Sequence, residues 1–327
     1  FDTALTNGTT YYYAIHGYLN HHKYATGVKT FGKPRAFDKH QRIALSAHHG
    51  CAIDQNNEPF CWGENGNYAL GSGDTTDQEK ATAVDRSGMN GAKGFVHIST
   101  GYEYSCGITE DQNLWCWGYN AQGQQGLGNT STSSQPVQIT GSWRTVATES
   151  SLWGDNDSDN RERLCAINTE GDLYCSGDGD EGQLGNGSGG DQTTMTLVLG
   201  GLKWRSVTVG AMQVCGATME GGGFCWGYGD KGQLGHAVND VTRYAPFSIA
   251  GDTLWQDFSA GRKSTCGISA ADTSFCWGDN TYGALGDGTA DDTALPVEML
   301  VTSVTGNFRQ ITSGDQTRCG VTNADEL

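Results

Sequence analysis

Cysteines in this chain come in pairs ten residues apart, and the pairs recur: Cys51/Cys61, Cys106/Cys116, Cys165/Cys175, Cys215/Cys225 and Cys266/Cys276. Their first members are spaced by 55, 59, 50 and 51 residues, and Cys319 opens a further unit 53 residues on. A fixed internal period of this size demands one supersecondary unit used repeatedly, and it constrains the fold more than any other feature of the sequence. Much besides cysteine recurs. Ahead of the pair stand Phe95-Val-His-Ile98, Trp143-Arg-Thr-Val146, Trp204-Arg-Ser-Val207, Trp255-Gln-Asp-Phe258 and Phe308-Arg-Gln-Ile311, with His40-Gln-Arg-Ile43 as a degenerate first copy. After the second cysteine comes Trp-Gly at Trp62, Trp117, Trp226 and Trp277, with Ser176-Gly177 as the exception. A turn ending in Leu-Gly follows, at 67–71, 124–128, 181–185, 231–235 and 282–286, and then a short extended piece such as PVQI (136–139) or PVEM (296–299).

No segment carries apolar residues at helical spacing over three turns. Each unit of about 50 residues instead reads as four short β-type runs separated by Gly, Asn and Asp turns. Four strands per repeat is one propeller blade. A single blade cannot bury both faces, so neighbours must stack around an axis. The expected fold is therefore all-β, a β-propeller of four-stranded blades, six to seven in number, over residues 36–327. Glycine abundance fits: 49 of 327 residues is about twice the usual share, and tight turns need the positive φ that glycine adopts cheaply.

The pattern C-[AG]-I/A/V-T…C-W-G-x-N…G-Q-L-G at this period closely resembles the regulator of chromosome condensation repeat, over roughly residues 40–327. The resemblance implies a seven-bladed propeller. The nuclear founder of the family is an exchange factor for a small GTPase that docks on chromatin. The acidic balance and cysteine pairs of this chain argue against both roles, and are more similar to the secreted and cell-surface bacterial branch.

Within such a blade, CGITEDQNLWC makes a hairpin turning near Asp111, which sets Cys106 opposite Cys116 on adjacent antiparallel strands. Facing residues there have Cα atoms roughly 4.5–5.5 Å apart, within reach of a disulfide. Five within-blade disulfides are expected, 51–61, 106–116, 165–175, 215–225 and 266–276; free cysteines packed as small hydrophobes are the alternative. Cys319 would find its partner about ten residues further on.

Eleven cysteines point to an oxidising compartment, and none lies at the CxxC-type spacing of a zinc or redox site. The expected location is extracellular or at the cell surface. The chain opens FDTALTNGTT with no export signal, which reads as a piece of a longer or processed polypeptide. There is no apolar run near 18 residues to insert in a membrane. With 37 acidic against 20 basic residues the net charge is −17. That argues against nucleic acid and anionic membrane surfaces as partners, since such binding draws on Lys and Arg.

Residues 1–35 fall outside the repeat. FDTALTNGTTYYYAIHGYLN resembles the late part of a fibronectin type III domain, where L-x-N-G-T-x-Y forms a tyrosine corner; Leu5, Asn7, Gly8, Thr9 and Tyr11 to Tyr13 match. These strands either end a truncated sandwich or complete a sheet on a neighbouring molecule, a route to self-association. The third repeat carries an insertion: sixteen steps separate Glu149, at the position of Gly101, Gly210 and Gly261, from Cys165, where the others take five. It includes Asp155, Asp157 and Asp159, oxygen ligands at alternate positions that suit calcium as in the opening of an EF-hand loop. Asn160 stands where that loop has glycine and Ala166 where it closes with Glu, so a solvated acidic loop is the competing reading. No cofactor is required by anything in the sequence. Asp178/Asp180 and Asp287/Asp291/Asp292 read as turn formers. Glycosylation sequons occur at Asn7, Asn129, Asn156 and Asn186. His21-His22 and His48-His49 have no third ligand at suitable spacing. The repeated Trp residues read as inter-blade core, with sugar-stacking platforms as the alternative.

Neither GxSxG nor HExxH occurs, and the repeats are uniform, without one blade marked by unusual His, Arg or Lys. The sequence therefore points away from catalysis, to an extracellular binding or structural module for adhesion, matrix or filament assembly with protein or glycan partners. A lectin propeller is the alternative, and a polysaccharide lyase or hydrolase stands further off.

Overall fold

The computed structural model describes residues 41–149, 162–239, 241–300, 308–314 and 318–322, together with the backbone of four strands near the start. Of those four, β1 (Tyr11–Ile15) pairs antiparallel with β4 (Val28–Gly32), and β2 (Tyr18–Leu19) with β3 (Lys23–Tyr24). The tyrosine-corner positions Leu5, Asn7, Gly8 and Thr9 lie outside the described residues.

The remainder is a series of antiparallel meanders, with strands only. Blade one is β5 (Ile43–Leu45), β6 (His49–Ile53), β7 (Pro59–Gly63) and β8 (Gln78–Ala83). Blade two is β9 (Phe95–Thr100), β10 (Tyr104–Thr109), β11 (Leu114–Gly118) and β12 (Ser133–Ile139). Blade three is β13 (Trp143–Thr148), β14 (Arg163–Asn168), β15 (Leu173–Gly177) and β16 (Gln192–Leu197). Blade four is β17 (Trp204–Val209), β18 (Gln213–Thr218), β19 (Gly223–Gly229) and β20 (Val241–Ser248), and blade five β21 (Trp255–Ala260), β22 (Ser264–Ser269), β23 (Ser274–Gly278) and β24 (Thr293–Glu298). The pair β25 (Phe308–Ser313) and β26 (Arg318–Thr322) repeats the first two strands of a blade. In every complete sheet the spatial order is the chain order.

First strands of successive blades touch one another, as do β5 and β9, or β17 and β21; they are therefore innermost, around the propeller axis. Second strands are buried along almost their whole length, and fourth strands are half-buried to exposed. Side chains weld the inner ring: Ser99 and Thr148 hydroxyls lie 2.8 Å apart, and the Thr208 Oγ1 accepts the Ala260 N–H at 3.1 Å.

Each blade carries one buried disulfide between its second and third strands, joining Cys51–Cys61, Cys106–Cys116, Cys165–Cys175, Cys215–Cys225 and Cys266–Cys276. The partners are directly opposite in register, with Cα atoms 4.0–4.1 Å apart. Cys319 is exposed and has no disulfide partner within residues 1–327.

The core is not one cluster but a row of seams. The sulfurs of one blade pack with the first-strand aromatic and third-strand Trp of the next: Cys51, Cys61 and Leu70 with Phe95 and Trp117, and Cys165, Cys175 and Leu184 with Trp204 and Trp226. Each of these tryptophans also donates its indole N–H to the turn of the preceding blade, Trp117 to Ala69 O (2.9 Å), Trp226 to Gln183 O and Trp277 to Gln233 O (both 2.8 Å). Blade three has Ser176 here, and its hydroxyl makes the same bond to Gln124 O at 2.9 Å. The sequence exception thus keeps the hydrogen bond and gives up the ring. The glycine ending each turn is needed for this approach: a Cβ on Gly71 or Gly185 would come within 2.7 Å of Trp117 or Trp226, and φ is +65° and +64°.

Blade two shifts the turn relative to its Leu-Gly dipeptide. Asn65 Oδ1 accepts the Leu70 N–H, and Asn280 Oδ1 the Leu285 N–H, but Asn120 Oδ1 accepts that of Gln125. Gln125-Gly126, not Leu127-Gly128, therefore occupies the turn, and the buried Gln125 amide is satisfied by Gly118 O at 2.7 Å.

Removing one of these rings leaves a cavity in a closed seam. Trp226→Ala is expected to lower unfolding free energy by about 3–5 kcal/mol, measured by denaturant unfolding of the oxidised protein; a cost under about 1 kcal/mol contradicts the seam's role.

Candidate functional site

In an antiparallel meander the loops joining first to second and third to fourth strands emerge at the same end. On this face, here called the upper face, the blades differ most. The residue two places before the first cysteine of each pair is His49, Tyr104, Arg163, Gln213 and Ser264 in blades one to five, all buried. In blades one to four it reaches the next blade. His49 Nε2 is 2.8 Å from Ser105 Oγ, and Tyr104 donates to Arg163 O at 2.6 Å. Arg163 donates to Gly210 O and Ala211 O at 2.9 and 3.0 Å, and Gln213 to Gly261 O and Ser264 O at 3.2 and 3.1 Å. These are inter-blade clasps made by a variable side chain on an invariant backbone geometry. Burial and the neighbouring His48 lower the pKa of His49 to about 3, which keeps it neutral.

Blade three concentrates charge here, contrary to the uniformity read from the sequence. Arg163 Nη2 donates to Asp178 Oδ2 at 2.9 Å, and Nη1 lies 3.4 Å from Glu149 Oε2; all three groups are buried. Glu149 occupies the position of the glycine in blades two, four and five, where the backbones of successive blades nearly touch: a Cβ on Gly210 would lie 2.4 Å from Gly261 O. The acid is tolerated in blade three because the arginine two places before Cys165 neutralises it. A buried ion pair with one partner missing is strongly destabilising, so the two exceptions come together.

Beside this pair sits Glu162, also buried, accepting the Gln124 side-chain N–H at 2.7 Å from the turn of blade two while its Oε1 has no partner. Burial raises its pKa to about 8, with Glu103 and Glu149 adding to the rise against the hydrogen bonds from Gln124 and the Glu103 backbone. Burial, with Glu162 and Glu149 nearby, also raises the Tyr104 hydroxyl well above its ordinary range.

Other residues singled out by sequence distribute as follows. Asp155, Asp157, Asp159 and Asn156 lie in the insertion, outside the described residues, as does Asn7. Asn129 is exposed and Asn186 half-buried; each closes an Asx turn, accepting the N–H of Ser131 (2.9 Å) or Ser188 (3.1 Å). Asp178, Asp180 and Asp191 bring carboxylate oxygens within 4.8 Å of one another. Asp178 is already engaged by Arg163 and Gln183, and Asp191 accepts the Gly179 N–H as Asp77 accepts that of Asn65 and Asp292 that of Asn280. Asp178, Asp191, Asp287 and Asp292 therefore act as turn clamps, while Asp180 and Asp291 are exposed. Trp117, Trp226 and Trp277 are fully buried, which removes them as stacking platforms. Two stretches, Gly177–Gly182 and Gly227–Gly232, match the glycine spacing of a dinucleotide fingerprint. Each runs from a third strand into the third-to-fourth turn and opens no helix, so the phosphate site of that motif is not formed.

The family model described as the regulator of chromosome condensation (RCC1) repeat matches residues 95–124, 220–268 and 273–320. Over these stretches the chain matches the RCC1 repeat. Among characterised proteins it is 27% identical to the ultraviolet-B receptor UVR8 of Arabidopsis thaliana, over 81% of this chain and 59% of that protein. It is 30% identical to the human E3 ubiquitin-protein ligase HERC2 over 46% of this chain and 3% of the ligase. The chain thus spans well under two thirds of either relative. Among solved structures, human WBSCR16 superposes with a TM-score of 0.72 at 20% identity, covering 86% of this chain and 71% of that one. Prp20p of Saccharomyces cerevisiae gives 0.53 at 16% identity, covering 86% and 82%. These likenesses show the RCC1-type β-propeller fold. No helix among the described residues is long and apolar enough to cross a membrane.

The Glu162 environment has a pH signature. Its folded pKa, about 8, lies above the ordinary 4.5, so the unfolded chain releases the proton first and stability falls as pH rises from about 4.5 to about 8. Glu162→Gln removes this dependence. At pH 8.5 the variant is expected to melt above the parent, and at pH 4.5 the advantage disappears; thermal melts across that range check it, and a pH-independent difference contradicts it.

Proposed function

We propose that the chain is the propeller of a secreted or cell-surface protein, a disulfide-stapled scaffold that binds other macromolecules through its upper face in adhesion, matrix or filament assembly. The observation that carries this reading is the division of labour within the repeat. The disulfide and the seam hydrogen bond recur from blade to blade, whereas His48, Glu103, Glu149, Glu162, Arg163 and Lys263, which differ between blades, lie at one end of the blades. Binding residues on loops held by a rigid scaffold are the common arrangement for recognition. Five buried disulfides favour an oxidising compartment.

The charged groups of blade three point at one another and at backbone carbonyls, which favours a non-catalytic role. The yeast relative's structure was described with its binding to Gsp1p and histones, and that of yeast RCC1 as a complex with Kap60. Those are partners of that one yeast protein, and they support protein recognition as a use of the fold.

The test compares the two faces. Asp180→Lys with Asp291→Lys alters exposed positions in third-to-fourth loops of the upper face, and Glu170→Lys with Glu220→Lys alters exposed positions in second-to-third loops of the opposite face. Surface plasmon resonance against extracellular material from the source should lose signal with the first pair and keep it with the second. Equal retention by both, or no binding by the oxidised parent, overturns the reading.

A further inference from the structure

Among the five complete blades, blade three alone lacks the third-strand tryptophan, and another side chain takes up the volume of the ring. That side chain is Met195. It stands in β16 one place before the residue opposite the second cysteine, where blades one, two, four and five have Ala81, Pro136, Pro246 and Pro296. The turn glycine of the preceding blade reveals the exchange. A Cβ on Gly71, Gly185 or Gly235 would meet the indole of Trp117, Trp226 or Trp277 at 2.7, 2.7 and 2.9 Å. A Cβ on Gly126, which ends the turn of blade two, would instead meet Met195 Sδ at 2.7 Å and its Cγ at 2.8 Å, with Ser176 Oγ at 3.1 Å. The thioether covers the turn in place of a ring.

The neighbours of Met195 place it in the seam between blades two and three. With Leu127 and Tyr174 it packs on the cluster that contains Tyr104, Cys106, Cys116 and Trp143, and its sulfur lies 3.3 Å from Ser176 Oγ. Methionine suits such a gap because it is unbranched and adaptable. Unlike proline or leucine, it also takes up oxygen from peroxides and becomes a polar sulfoxide. The other methionines lie elsewhere. Met89 and Met212 are buried, Met219 is exposed in a second-to-third turn, and Met299 is half-buried at the junction with β25. Met195, itself half-buried, combines access for a small oxidant with a place between two complete blades.

The reaction with hydrogen peroxide balances without further groups. The sulfur lone pair attacks one peroxide oxygen and the O–O bond breaks. The proton on the transferred oxygen passes to the departing hydroxide, which leaves as water; sulfur is oxidised and the peroxide reduced by one electron pair. The product fits the seam poorly. Ser176 has a single hydroxyl proton, and donates it to Gln124 O at 2.9 Å. A sulfoxide oxygen beside that hydroxyl competes for the proton. Where it fails to capture it, a polar group is left against apolar side chains without a partner, which is unfavourable. Either way the seam loses the hydrogen bond or the packing that replaced the ring.

We propose that Met195 is a site of oxidation to the sulfoxide by a peroxide, and that this modification loosens the seam between blades two and three while the disulfides stay closed. Sulfoxide reductases restore the thioether, so the change is reversible. It operates whichever face of the propeller binds a partner.

The experiment treats the intact, disulfide-bonded protein with dilute hydrogen peroxide. Peptide mass mapping locates the added oxygen. NMR follows exchange of two backbone N–H groups that make matched bonds across neighbouring seams, Gly128 to Thr193 O and Gly187 to Tyr244 O, both 2.7 Å. Oxygen is expected on Met195, with exchange at Gly128 faster by about tenfold and exchange at Gly187 unchanged. The thermal midpoint should fall by about 2–4 °C. Met195→Leu keeps the volume without the sulfur, and its Gly128 exchange should not respond to peroxide. Met219→Leu should respond as the parent does. Met195→Gln, which puts a polar end in the same place, should speed exchange at Gly128 with no peroxide added. Peroxide that oxidises Met219 and spares Met195, an oxidised Met195 with unchanged exchange at Gly128, or an equal response by Met195→Leu overturns the proposal.

Discussion

The structure depends on one repeated contact, the hydrogen bond from a third-strand side chain to a turn carbonyl of the blade before it. Trp117, Trp226 and Trp277 each make it while laying a fully buried ring against the glycine that ends the same turn. The bond satisfies an indole N–H that burial would otherwise strand, and an unmet buried donor costs about 1–3 kcal/mol. The ring buries on the order of 150–250 Å² of surface. Polar and apolar terms thus act at the same place, which fixes the angle between blades as well as their attraction. Ser176 shows which half is indispensable: with the ring gone, the hydrogen bond persists at 2.9 Å.

The disulfides solve a different problem. A blade of four short strands has little interior of its own, and the seams provide burial only once neighbours are in place. A bond between the second and third strands of each blade fixes that hairpin's register before docking. In the chain-entropy model each closure of this length stabilises by about 2–3 kcal/mol. Once docked, the same sulfurs are packing atoms of the seam, fully buried beside the aromatic residues of the next blade. Staple and seam therefore reinforce each other, and loops on the upper face can vary without loosening the frame.

Much of this frame was legible in the sequence, because its signals are local and repeated. Pairs ten residues apart, with a turn between them, specify a hairpin register, and Trp-Gly with a glycine-ended turn marks the seam. The legibility failed where a residue's meaning depends on a distant partner. Glu149 stood out only as a residue in a glycine position, and Arg163 carries no local signal. Only the fold sets them 3.4 Å apart, since an insertion hides their adjacency. Blade two misled in another way: its Leu127-Gly128 imitates the turn signal, but Asn120 caps Gln125, two residues earlier.

The contact at the centre of this account can be watched directly by hydrogen exchange at the indole nitrogens. The Nε1 protons of Trp117, Trp226 and Trp277 should exchange as slowly as the backbone amides of the buried second strands, because opening either requires parting two blades. Rapid exchange of these three indoles while the second-strand amides stay protected would show that blades are held together by something other than this bond.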